Sequence, residues 1–102
     1  MTRLIELQAD QGLPARLTMV VGDLLWLEAS GGHVLAGESS VELLGAFLKC
    51  VVGLEGEVLT PMGAPNVVLF RARRAGTARV AVVSGDPWHQ PTTTALELDI
   101  TA

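Results

Sequence analysis

Residues 66–84 read NVVLFRARRAGTARVAVVS, and the alternation within them decides the fold. Successive side chains of a β-strand point to opposite faces, so Val68, Phe70 and Ala72 share one face while Val67, Leu69, Arg71 and Arg73 share the other. After a turn at Ala75-Gly76 the same period resumes, with Val80 and Val82 set against Arg79, Ala81 and Val83. Two neighbouring antiparallel strands, each with an apolar face, predict part of a two-layer β fold with Phe70 inside it.

Working outward, short alternating runs recur at spacings of about 8 to 12 residues between turn signals. Residues 4–8 end in Asp10-Gln11-Gly12 and residues 16–21 end in Gly22-Asp23, which predicts two paired or sequential edge elements. In residues 24–29, Leu25, Leu27 and Ala29 are placed inward; Trp26 then lies on the outer face, where cover by a neighbouring segment is preferred over a binding role. The density of Gly31, Gly32 and Gly37 reads as a loop over residues 30–40.

Ser39-Ser40-Val41-Glu42 can be read as a capping box opening a short helix through Leu48, or as the start of a buried strand; the strand is preferred. A run over 57–60 leads into Pro61-Met62-Gly63-Ala64-Pro65, where two prolines withhold backbone donors and force a turn. Gly85-Asp86-Pro87-Trp88 breaks the strand that ends at Ser84. Beyond it, Leu96, Leu98 and Ile100 form the apolar face of a last strand, with Glu97 and Asp99 opposite in water. The whole reads as an all-β immunoglobulin-like β-sandwich of about seven to eight strands, a single domain over residues 1–102.

Composition narrows the function. At 102 residues, 49% hydrophobic and 18% charged, the chain has the apolar material for one core. Seven basic against eleven acidic residues leave a net charge of −4, with no patch able to displace counterions from nucleic acid. Arg71, Arg73 and Arg74 read as a solvated face. No apolar stretch approaches the roughly 20 residues that span a bilayer, so no membrane role is expected. The amino-terminal residues lack the apolar run of a signal peptide, which suggests a cytoplasmic protein, or a periplasmic or secreted one from which a leader has been removed.

Catalytic motifs are not visible. Cys50 lies in the apolar run 47–52, which predicts a buried and inert thiol. His33 and His89 read as ordinary surface residues and offer no zinc spacing. Glu6, Glu28, Glu42, Glu97 and Asp99 are spread over different strands instead of converging in pairs. Gly31-Gly32 has no following lysine or helix and is no phosphate loop. No enzyme, metal or cofactor is expected.

The stretch 68–88 resembles the chagasin family of cysteine-peptidase inhibitors. Val68, Phe70 and Ala72 stand eight, six and four residues before Gly76, and Val80 and Val82 four and six after it, as that family's apolar positions do. Pro87 and Trp88 match its Pro-Trp loop, and Val20-Val21-Gly22-Asp23 followed by Leu25 and Leu27 is similar to the start of another of its strands. Gly63 matches the family's glycine-rich loop only loosely. Two departures stand out. Ser30-Gly31-Gly32-His33 replaces the Asn-Pro-Thr-Thr-Gly loop, and Asp86 stands where arginine is usual. Pro91-Thr92-Thr93 follows Trp88 and is not a substitute.

The resemblance implies an immunoglobulin-like sandwich whose three loops at one end wedge into the cleft of a papain-like peptidase without being cleaved. Here those loops are 30–34, 61–66 and 85–89. The partner-binding candidates are Gly31, Gly32 and His33; Met62, Gly63 and Ala64; and Asp86, Pro87 and Trp88. The partner implied is a protein such as a papain-like cysteine peptidase, met by a monomer or weak homodimer. The other reading is a non-inhibitory bacterial immunoglobulin-like module for adhesion or assembly.

Overall fold

Val68, Phe70 and Ala72 are buried, and so are Val80 and Val82, as the alternation requires. The computed structural model, which describes residues 2–8, 12–85 and 88–102, nevertheless places the two runs in different layers. Strand β8 (Val67–Ala72) pairs with β3 (Leu24–Glu28) and β5 (Val41–Phe47), whereas β9 (Gly76–Ser84) pairs with β10 (Thr92–Thr101) and β4 (Gly31–Ala36). They are therefore not hydrogen-bonded neighbours. The turn between them carries the chain from one sheet to the other, so that their apolar faces meet across the core.

One sheet has the order β1-β3-β8-β5, with β1 spanning Leu4–Gln8; the other has the order β2-β10-β9-β4, with β2 spanning Arg16–Val20. β1 runs parallel to β3 and β2 parallel to β10, while the remaining pairs in these sheets are antiparallel. The two amino-terminal strands are thus edge elements, as expected, but of opposite sheets and not paired together. The turn expected at residues 10–12 lies partly outside the described residues. Among the described residues eight strands make the sandwich, and two more, β6 (Val51–Val52) and β7 (Val58–Leu59), form a hairpin of their own. No described helix is long and apolar enough to cross a membrane.

The core joins Leu25, Leu27, Val41 and Phe70 of one sheet to Met19, Val80, Leu96 and Leu98 of the other. Outward faces carry cross-strand ion pairs: Arg71 with Glu42 at 2.8 Å, Arg79 with Glu97 at 3.5 Å and Arg16 with Asp99 at 3.3 Å. Such exposed pairs contribute about 0–1 kcal/mol each and chiefly favour the correct register. Ala81, on the outward face of β9, is buried nonetheless, because His33 and Ala95 flank it at the same register.

Three expectations fail in the middle of the chain. The glycine-rich loop is largely strand, since Gly31, Gly32 and His33 pair with Val83, Val82 and Ala81. Residues 41–47 are a strand but not a buried one: only Val41 is enclosed, because β5 is the outermost strand of its sheet. Cys50, just beyond, is exposed for the same reason.

At the opposite end from the candidate loops, Asp23 is buried and anchors the first strand. Its carboxylate accepts hydrogen bonds from Arg3 Nε at 3.0 Å, from an Arg3 terminal nitrogen at 2.6 Å and from the Val20 amide at 2.8 Å. The Arg3 hydrogen bonds hold the Asp23 carboxyl below its ordinary value against the opposing effect of burial, and the Val20 amide assists. A carboxylate whose pKa is lower in the folded than in the unfolded state adds stability above the unfolded value of about 3.9, and this is lost as pH falls through the folded value. Thermal melts from neutral to strongly acidic pH are therefore expected to show a steeper acid loss in the wild type than in Asp23→Asn. Equal slopes would mean that Asp23 is not a source of the acid sensitivity.

Candidate functional site

The end of the sandwich opposite Asp23 gathers the β3–β4 bend, the long 48–66 connection and the residues after β9. These segments meet around an open concavity of about 460 Å³, to which they contribute Ser30, Pro65, Asn66 and Gly85. Trp26 and Lys49 line it as well, with the Lys49 ammonium 5.2 Å from the centre of the Trp26 ring. The expected cover for Trp26 is therefore supplied by the segment that follows β5. A cation over an indole face is attracted by the ring quadrupole and, at an exposed site, contributes roughly 0.5–1 kcal/mol.

Each segment is held by short polar contacts. The Ser30 amide donates to the Val83 carbonyl at 2.9 Å, and the Ser30 hydroxyl donates to the same oxygen at 3.1 Å. The bend between β3 and β4 is consequently tight, and pairing begins at Gly31. Asn66 closes the second segment: its amide donates to the Phe47 carbonyl at 2.9 Å, and its side-chain oxygen accepts from the Lys49 amide at 2.8 Å.

The nine candidate residues are placed unequally. Gly31, Gly32 and His33 lie in β4 and form no projecting loop. Gly32 is a structural residue: a Cβ there would stand 2.9 Å from the Ala81 carbonyl oxygen and 3.1 Å from the tip of the Phe70 ring. Met62 is fully exposed, with Gly63 exposed and Ala64 half-buried beside it. Trp88 is 74% exposed in the connection between β9 and β10, while Asp86 and Pro87 lie outside the described residues. Lys49 and Asn66, which shape the concavity, were not among the candidates. Lys49 is the one charge in the apolar stretch 43–54, and that is the signal by which it could have been found.

Among the described residues no group of three or more His, Cys, Asp and Glu is placed to hold a metal ion. Cys50 Sγ is directed at the Leu48 carbonyl at 3.5 Å and the Thr60 hydroxyl at 3.6 Å, neither of which is a base that could form a thiolate.

Two four-stranded sheets packed about one core, with the chain crossing repeatedly from one to the other, define an immunoglobulin-like sandwich. Among solved structures, the cysteine protease inhibitor EhICP2 from Entamoeba histolytica aligns over 98% of this chain and 97% of its own, with a TM-score of 0.59 and 13% identity. Amebosin aligns over 97% of this chain and 98% of its own, with a TM-score of 0.52 and 14% identity. No family model matches the sequence, and no curated protein does. The resemblance to a cysteine-peptidase-inhibitor family is thereby borne out in the fold, over essentially the whole chain.

The geometry separates two adjacent glycines. Gly32→Ala must displace backbone or the Phe70 ring and is expected to cost about 1–3 kcal/mol in chemical denaturation. Gly31→Ala meets only Val83 Cβ, at 3.8 Å, and should change stability by less than about 0.5 kcal/mol. Equal effects would show that Phe70 does not need the space at position 32.

Proposed function

We propose that this chain is a protein-binding domain whose 61–66 and 85–89 segments, with the Ser30 bend between them, occlude the active-site cleft of a papain-like cysteine peptidase. The observation that carries the reading is that Ser30, Pro65 with Asn66, and Gly85, at the bases of the three segments, line one concavity, with Trp88 exposed beyond Gly85. The full-length likeness in fold to a cysteine protease inhibitor supports it. A loop tryptophan offers a large area at little cost in side-chain entropy, which is why tryptophan is over-represented among the residues that dominate interfaces.

The first segment has little reach. With residues 31–33 paired along β9, only Ala29 and Ser30 remain at the tip, and neither the Asn-Pro-Thr-Thr-Gly sequence nor the length to enter a deep cleft is present. Binding must then rest on Trp88 and on the Met62 loop, an arrangement that fits micromolar more than nanomolar affinity. The same short bend favours the second reading, a non-inhibitory immunoglobulin-like module for adhesion or assembly that works through its strand edges or sheet faces.

Inhibition of papain-like peptidases by the intact protein discriminates the two. The expected result is competitive inhibition that Trp88→Ala weakens by about 30-fold or more, the effect of losing an anchor worth roughly 2 kcal/mol. An absence of inhibition at high micromolar concentration, with the protein folded, would discard the peptidase reading in favour of the module.

A further inference from the structure

Apolar surface on this molecule is concentrated in one place. Among the described residues fourteen large apolar side chains stand exposed, and nine of them lie between positions 43 and 62. They belong to the outer half of β5, to the β6–β7 hairpin and to the loop that follows.

The hairpin is an arm. Its strands pair only with each other, Val51 with Leu59 and Val52 with Val58, and neither joins a sandwich sheet. Side chains on both of its faces are exposed, with Val52 at 71% and Leu54, in the turn, at 106%. The Cα radius of gyration is 14.4 Å, against about 13 Å for a compact chain of this length. A lone two-stranded hairpin is marginal in water, and a monomer rarely exposes more than a few hundred Å² of contiguous apolar surface. An arm of this kind needs cover.

Size and charge indicate what covers it. The nine side chains lie on both faces of the arm, so one partner covers only part of them, a contact at or below the roughly 800 Å² per partner of a standard interface. The chain as a whole carries a net charge of −4, whereas residues 43–62 hold one Lys49 against Glu55 and Glu57, so this surface carries both signs of charge. Lys49 lies at the base of the arm and Glu55 and Glu57 at its tip. Two arms laid antiparallel would bring the base of each beside the tip of the other, with opposite charges facing.

Strand addition along the edge of β5 is disfavoured. The register of β5 against β8 shifts between Leu43 and Gly45, and the Phe47 ring lies over Gly45, whose φ of 147° admits no other residue without strain. Such a bulge interrupts the row of backbone groups that a new strand would need. The contact therefore runs through side chains.

We propose that the β6–β7 arm and the adjoining outer half of β5 form a two-fold interface with a second copy of this chain, the arms antiparallel and Lys49 of each copy beside Glu55 and Glu57 of the other. The arm lies in the same 48–66 connection that carries Met62, so dimer formation and the proposed peptidase contact would compete for that segment, while Trp88 takes no part in the dimer. A closed two-fold contact uses the same patch on both copies and ends at the dimer.

Sedimentation velocity on the intact protein at about 50 μM, a concentration at which a micromolar dimer is largely formed, tests it. The expected mass is that of two chains. Val52→Lys combined with Leu54→Lys should return it to one chain with the β circular dichroism unchanged, because both positions are exposed. Leu4→Lys, one added positive charge on the far edge strand, should leave the dimer intact, and Glu55→Lys should raise its dissociation constant several-fold. A single-chain mass for the wild type, a dimer that survives the double substitution, or assemblies that grow without limit would each overturn the proposal. So would a monomeric wild type whose double variant loses affinity for a papain-like peptidase, which would assign the arm to that partner.

Discussion

The Phe70 ring spans the two layers of this sandwich, and the absence of a side chain at Gly32 is what lets it do so. Phe70 projects from β8, an inner strand of one sheet, and its tip reaches β4, the outermost strand of the other, where a Cβ would stand 3.1 Å away. Layers packed about 10 Å apart must interdigitate, and a large ring on one side requires a gap opposite. Because the gap is in β4, that strand can pair in regular register with β9 from Gly31 to Val34, and the bend before it shrinks to the residues around Ser30. Packing inside the core thus limits how far the first segment reaches at the surface.

The remainder of that end is built by a polar staple and a covered indole. Asn66 ties the return of the long connection to the end of β5, and Lys49 folds over Trp26. Both residues fix the base of the segment that carries Met62, so that the loop leaves from a defined point although its tip is exposed. Trp88 stands in the connection between the two longest strands, β9 and β10, which pair from Thr92 opposite Ser84 down to Ile100 opposite Gly76.

The same connection accounts for the uneven surface. Elsewhere the outward faces are laced with Arg–Glu and Arg–Asp pairs, which suit a surface that stays in water. From Leu43 to Leu54 that pattern stops, and the chain leaves the sheet as an apolar arm. Cys50 is exposed with it, so an apolar run in the sequence was no guide to burial at that point.

The period-two alternation of residues 68–72, 80–82 and 96–100 determined by itself that these strands are half-buried and which of their faces is inward. Side-chain direction in a strand is a local property, and every one of those inward residues is buried. The glycine turn, the exposed Trp88 and the likeness to an inhibitor fold were legible for the same reason, being carried by short contiguous patterns. Only the tertiary structure decided that β8 and β9 belong to opposite sheets, since a turn of given length can return a chain along its own sheet or cross to the next. It alone made strand of Gly31-Gly32-His33, because the need for glycine there comes from Phe70, far away in the chain. It also left the 47–52 run in solvent, because burial depends on what packs against a segment and not on how apolar the segment is.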